Sequence, residues 1–317
     1  MELLPARAGD LVPQRIGLGL ASLGRPGYLN LGHGEDLGGD RSVAALRART
    51  FGVLDAAYAA GVRYLDAARS YGRAEEFLGA WLDERRPADV VVGSKWGYVY
   101  TADWQVDADP PEVKHHDPDT LRRQLEETRA RLGDRLALYQ IHSATPDSGV
   151  LDDEAVLRDL QELRATGVAV GLSVSGPSQA ESIDRAVALG GFDAVQATWN
   201  LHERAAGDAL LRAHEAWMAV IVKEALANGR LGPRAPDALL ERTASALDAT
   251  ADAVALAAVL AQPFADIVLS GVATRTALAS NLAAVRLQLP DGALEDLAPL
   301  EEDSRKYWSV RAELPWN

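Results

Sequence analysis

The chain has no cysteine among its 317 residues. Disulfides, thiolate metal sites and cysteine nucleophiles are excluded together. Lysine is scarce as well: Lys95, Lys114, Lys223 and Lys306 are all there are. No Lys/Arg run exceeds two residues, and the formal net charge is -14. Nucleic-acid binding needs a basic face, which this composition does not provide. The longest apolar run covers nine residues, 253–261, far short of the roughly 20 that span a bilayer. No basic stretch followed by an apolar one opens the chain, so no signal peptide is expected and the protein is read as cytoplasmic. The six histidines form no helical His-x-x-x-His pair. His115-His116, between Lys114 and Asp117, reads as a solvated loop pair, so no metal centre is expected.

What is present is a regular alternation. Short apolar runs at 16–20, 63–66, 90–95, 137–142, 168–173, 194–198, 220–223 and 267–270 suit strands buried on both faces. Amphipathic stretches at 48–60, 74–85, 119–132, 152–165, 179–189, 250–262 and 276–285 suit helices, several ending at Gly or Pro. Eight strands with intervening helices predict a (β/α)8 TIM barrel, one α/β domain over residues 1–317. The competing fold is an open doubly wound sheet, which should carry Gly-x-Gly-x-x-Gly after its first strand. Gly17-Leu18-Gly19-Leu20-Ala21-Ser22 lacks the third glycine. Long connections at about 24–41 and 96–118, with a C-terminal tail at about 305–317, mark the functional rim.

Four residues sit at or just past the ends of apolar runs: Asp66, Tyr71, Lys95 and His142. In a parallel barrel those ends meet at one mouth, where catalytic groups reside. An acid, a phenol, an ammonium and an imidazole together suit proton transfer at a carbonyl oxygen. Tyr71 would be the proton donor, with Lys95 lowering its pKa from about 10. Asp66 would hold Lys95 charged and oriented, and His142 would orient the carbonyl. Lys223 also ends an apolar run, and is expected either to help bind cofactor or substrate or to pair with Glu224. Trp96 and Trp104, in a long rim connection, are candidate walls of a substrate pocket.

These strings resemble the aldo-keto reductases. The match rests on Tyr64-Leu65-Asp66-Ala67-Ala68 with Tyr71-Gly72-Arg73-Ala74-Glu75, then Gly93-Ser94-Lys95, Gly171-Leu172-Ser173, and Gly271 followed by Asn281. It covers about 16–285. The resemblance implies that Asp66, Tyr71, Lys95 and His142 are a catalytic tetrad and that a bound nicotinamide supplies the hydride. It places Ser173 and Gln196 at the carboxamide and Asn281 at the adenine. A 2'-phosphate calls for charge-assisted donors near the last strand, where Thr274 and Arg275 stand, so NADP is favoured over NAD. The chain departs from the family pattern at Val174, where Asn is usual, and at Lys223, where an aromatic residue is usual. Glu224-Ala225-Leu226 replaces the usual Ser-Pro-Leu, and Ala277 replaces a frequent Arg or Gln. The expected partner is a small carbonyl or alcohol substrate: an aldehyde, a ketone or a sugar-like compound. Two readings from other classes are a dinucleotide-binding regulatory subunit with little turnover and a non-redox barrel isomerase or lyase.

Overall fold

Side-chain parity along short apolar strands shapes this molecule, since neighbouring residues on a strand face opposite sides. The computed structural model describes residues 15–317, so the N-terminal stretch read for a leader lies outside the described residues. Ten strands occur among them: β1 (Ile16–Gly19), β2 (Tyr64–Asp66), β3 (Val91–Trp96), β4 (Tyr98–Tyr100), β5 (Glu112–Lys114), β6 (Leu136–Ala144), β7 (Ala169–Val174), β8 (Ala194–Thr198), β9 (Ala219–Lys223) and β10 (Ile267–Ser270). Eight of these close a parallel barrel in the order β1-β2-β3-β6-β7-β8-β9-β10, with β10 pairing back onto β1. That closure excludes the open doubly wound sheet. β4 and β5 form a separate antiparallel hairpin in the long connection after β3.

The helices are α1 (His33–Leu37), α2 (Val43–Ala59), α3 (Ala74–Arg85), α4 (Pro118–Leu132), α5 (Glu154–Ala165), α6 (Gln179–Leu189), α7 (Gly207–Glu215), α8 (Ala238–Ala246), α9 (Ala251–Leu260), α10 (Arg275–Ala283), α11 (Ala293–Asp296) and α12 (Ser304–Ala312). Their ends follow local chemistry. The Asp117 carboxylate accepts the Thr120 N–H, Pro118 opens α4, and Gly133 ends it. Ser42 caps α2, which begins five residues before the apolar periodicity does. α7 has no side-chain cap, so its start carries no sequence signal. The long apolar run becomes α9, whose first nine residues are all buried. No single helix among the described residues is long and apolar enough to cross a membrane.

Parity divides each barrel strand. Leu65, Val92, Val170, Val195, Val222 and Val268 face the helical layer. Tyr64, Leu138, Ile221, Ile267 and Leu269 fill the barrel interior below the mouth. The Tyr64 ring fits because its neighbours are glycines. A Cβ at Gly93 would stand 2.4 Å from the Tyr64 hydroxyl oxygen, and one at Gly17 would stand 2.9 Å from the ring. From that position the hydroxyl donates to Asp66 Oδ1 at 3.3 Å. The floor of the barrel thus touches the first residue of the tetrad.

Gly93→Ala should destabilise the protein by about 1–3 kcal/mol, the usual range for overpacking a filled core. The same substitution should cost less in a Tyr64→Phe background, where the hydroxyl is gone. Denaturant unfolding of the four proteins checks this; equal costs in both backgrounds would contradict the contact.

Candidate active site

The two-residue period of the strands brings the tetrad together. Asp66 on β2, Lys95 on β3 and His142 on β6 share inward parity at the C-terminal ends of their strands. Asp66 and Lys95 are buried, and their side chains form an ion pair. Lys95 Nζ also donates to the Ala67 carbonyl at 3.1 Å and to the Tyr71 hydroxyl oxygen at 3.2 Å. Gln196 on β8 donates to Asp66 Oδ1 at 2.9 Å, beside the Tyr64 hydroxyl. Every oxygen of this buried carboxylate therefore has a donor.

Tyr71 reaches the group from a loop, not from a strand. The loop is tied down by Arg69, whose side chain bonds Glu75 at 2.6 Å and also Glu127, and whose N–H donates to the Lys95 carbonyl at 3.0 Å. Gly72 has φ +58, and a Cβ there would lie 2.5 Å from the Gly24 carbonyl oxygen. A Cβ at Gly24 would in turn meet the Tyr71 carbonyl at 2.2 Å. Two backbones pass in contact here, which accounts for glycine directly after the tyrosine.

Burial and charge set the state of the two rings. The Tyr71 hydroxyl is held well above the ordinary phenol range, first by burial and then by the Asp66 charge; Arg25 opposes both. The Lys95 ammonium is paired with Asp66, whose charge acts on the phenol in the opposite sense. Tyr71 is a neutral acid that already accepts a hydrogen bond from a cation. His142 is pushed well below the usual imidazole range, by burial first and by the Lys95 charge second, so the ring is neutral. Its Nδ1 lies 3.4 Å from Ser70 Oγ. The ring stands edge-on to Tyr71 and Tyr98, with centroids 5.5 and 4.9 Å away.

A cleft of about 810 Å³ opens above the tetrad and runs past β10 to Thr274, Thr276, Ser280 and Asn281. Its rim takes Arg25 and Tyr28 from the first long connection, Tyr98 and Glu112 from the hairpin, and Arg311 and Trp316 from the tail. Sequence reasoning passed over Arg25, Glu112 and Arg311, which lie in segments without an apolar period. His116 was read as solvated, yet its Nε2 meets the His142 carbonyl oxygen at 2.8 Å and its ring packs on Trp96. Burial moves it down to about 4, so it is neutral and pins the strand end that carries His142.

A model described as the aldo/keto reductase family matches residues 15–302. The chain belongs to this family. It is 28% identical over 201 residues to the aldo-keto reductase str7 of Strobilurus tenacellus, across 62% of this chain and 52% of that one. It is 28% identical over 181 residues to a D-threo-aldose 1-dehydrogenase of a Pseudomonas species, across 52% and 55%. The chain thus matches about half the length of these curated relatives. The holo form of the aldo-keto reductase AKR11C1 of Bacillus halodurans superposes with a TM-score of 0.71 at 20% identity, covering 91% and 92% of the two chains. That likeness concerns the fold.

Aldo-keto reductases use nicotinamide cofactors, and the residues assigned to one by resemblance can be placed. Gln196, Lys223, Thr274 and Asn281 line the cleft along its length. Gly271, also in the lining, leaves open space where a Cβ would stand. An elongated, donor-lined groove of this kind fits a dinucleotide. Asn281 is buried and donates to Ser270 Oγ at 2.9 Å. The Thr274 hydroxyl caps α10 by accepting the Ala277 N–H, and Arg275 is exposed at the first residue of that helix. Ser173 lies behind the lining: its Oγ accepts the Ser143 N–H at 2.8 Å, and Ser143 and Ser175 face the cleft instead.

The two tryptophans are corrected. Trp96 follows inward Lys95, so parity turns it outward, where it is buried in the helical layer. The Trp104 indole donates to the Arg41 carbonyl at 2.9 Å and packs on Phe77, holding one rim loop against another. Neither lines the cleft. Lys223 does: its Nζ donates to Thr198 Oγ1 at 2.8 Å and stands 4.0 Å from Glu224. Arg311 reaches the same carboxylate, with Nε at 2.8 Å. Burial would raise Glu224, but the two cations hold it down at about 2. Burial brings Lys223 down to about 8, so its charge fades just above neutrality.

A ligand anion or dipole in contact with Lys223 should therefore bind more weakly as pH rises through about 8. Titrating NADPH by fluorescence from below to above that point should show the loss, and Lys223→Met should flatten it. Parallel curves for the two proteins would remove Lys223 from cofactor binding.

Proposed function

We propose that the protein interconverts a small carbonyl compound and its alcohol, with a nicotinamide cofactor and Tyr71 as the general acid and base. The observation that supports this most is the neutral Tyr71 hydroxyl at the cleft floor, 3.2 Å from a lysine that is paired with a buried aspartate. A bound nicotinamide supplies the hydride in this chemistry. The protein's own groups manage the oxygen. A carbonyl oxygen accepting from Tyr71 gains its proton as negative charge develops. As the proton leaves, the phenolic oxygen keeps the Lys95 N–H, a donor fixed beforehand by Asp66, Gln196 and Tyr64. Neutral His142 sits beside the Tyr71 ring, where it orients the carbonyl without adding a charge. In the reverse direction Tyr71 must first lose its proton, which its raised pKa makes harder at neutral pH.

We read the cofactor as NADP in preference to NAD. Support comes from Arg275, exposed at the start of α10 beside the cleft, where a 2'-phosphate would find a guanidinium and a helix N-terminus. Sugar-like carbonyls, simple aldehydes and ketones are the candidate substrates; the likeness to a relative named as a D-threo-aldose 1-dehydrogenase supports including the first.

The test is absorbance at the reduced-nicotinamide band, with NADPH and NADH separately and a panel of aldehydes and ketones. Turnover should be faster with NADPH. Tyr71→Phe should still bind cofactor while turnover falls by about 10²–10⁴-fold, the usual contribution of a general acid. A mutant keeping more than about a third of the activity, where chemistry limits the rate, would overturn the role of Tyr71. Cofactor binding with no turnover on any carbonyl would favour a regulatory dinucleotide-binding role.

A further inference from the structure

We propose that the Arg25–Glu112 pair selects carbonyl substrates bearing a hydroxyl group close to the reacting carbon. The inference rests on the carbonyl chemistry proposed for Tyr71 and narrows its substrate class.

Both side chains line the cleft. Arg25 Nη1 donates to Glu112 Oε2 at 2.8 Å and to the Ser70 carbonyl at 3.1 Å. Ser70 precedes the proposed acid, and its hydroxyl lies at His142 Nδ1, so Arg25 is fixed directly to the tetrad loop. The guanidinium is held on three rings: its carbon lies 5.4 Å from the Tyr71 centroid, 5.1 Å from Tyr28 and 4.5 Å from Trp316. Arg25 is only 3% exposed, and its buried Nε–H has no acceptor in the protein. A desolvated, immobilised guanidinium that lines the cleft against the ring of the proposed acid is a recognition group placed within a short carbon chain of the carbonyl.

The chemistry of the pair indicates what it recognises. Arg25 offers donors and Glu112 offers acceptors, and the pair together is neutral. A substrate carboxylate would gain from Arg25 and lose against Glu112. An alkyl chain would bury both charged groups without replacing their hydrogen bonds, which is costly. A hydroxyl group both accepts and donates, so it can bridge guanidinium and carboxylate. Three aromatic residues of the lining, Tyr28, Tyr98 and Trp316, offer flat faces that suit the C–H surface of a polyol. Glu112 arrives on the β4–β5 hairpin, which the Lys114 ammonium fastens to the Ser143 carbonyl at 3.0 Å, so the acceptor is held as firmly as the donor.

The experiment compares matched carbonyls with the wild-type protein and NADPH: glyceraldehyde against propanal, erythrose against butanal, and glyoxylate as the carboxylate-bearing probe. Rates are corrected for the free carbonyl fraction. The expected result is a preference of about tenfold or more for the hydroxylated member in kcat/KM, within the range a site built to hydrogen-bond a hydroxyl reaches. Glu112→Gln should shrink that preference several-fold, mainly through KM, and Arg25→Lys should do the same. Binding of 1,2-propanediol against 1-propanol, read from tryptophan fluorescence, gives a second readout that needs no turnover. Equal use of propanal and glyceraldehyde, glyoxylate as the preferred substrate, or a preference that survives Glu112→Gln would each overturn the proposal. Failure of every carbonyl while the diol preference holds and is lost in Glu112→Gln would sustain the pair's selectivity and sink the reaction assigned to Tyr71. Loss of the diol preference as well would overturn both.

Discussion

The buried ion pair between Lys95 and Asp66 is the constraint on which the rest of the site depends. Two charges removed from water carry a desolvation cost of several kcal/mol each, which their attraction offsets only with good geometry and satisfied lone pairs. The barrel provides both. Asp66 has Gln196 and Tyr64 on one oxygen and Lys95 on the other, and Lys95 divides its remaining donors between a backbone carbonyl and Tyr71. The glycines at 17 and 93 make space for Tyr64, so the packing of the barrel floor and the charge at its mouth are one problem. Losing one partner of such a pair typically costs about 3–5 kcal/mol, because the other is left buried and uncompensated.

Around this fixed floor stands a rim assembled from three irregular segments. Trp104 ties the hairpin connection to the loop before α2, and the backbones of Tyr28 and Asn317 bond each other across the first loop and the tail. The rim carries its charge in paired groups: Arg25 is neutralised by Glu112, while Lys223 and Arg311 share Glu224. In a chain with a net charge of -14, the second group leaves a local positive charge at the cleft. The strands supply Asp66, Lys95 and His142, while the loops supply Tyr71 and the rim groups.

The eight barrel strands were legible because each is a short apolar run, and every expected strand overlaps an observed one. The tetrad's meeting place was legible for the same reason, since Asp66, Lys95 and His142 each sit at a strand end. Parity also held the information that Trp96 must face away from Lys95, though position in a rim connection suggested otherwise. The upward shift of Tyr71 was not readable, because it comes first from burial and then from the nearness of Asp66, both set only by folding. Arg25, Glu112 and Arg311 lie in a loop, a hairpin and a terminal helix whose courses come from tertiary contacts, so no period or spacing marks them. His116 looked solvated beside a charged neighbour and instead braces the strand end under His142.

In the proposed function, Tyr71 is a half-buried, protonated acid that accepts a hydrogen bond from Lys95, itself paired with Asp66. Its most direct test is the titration of Tyr71 itself, followed as the difference in phenolate absorbance between the wild-type protein and Tyr71→Phe. No Tyr71 phenolate is expected up to the ordinary phenol pKa of about 10, with ionisation only above it. A Tyr71 phenolate forming in the neutral range would contradict it, and would mean that the Lys95 charge acts on the phenol unopposed.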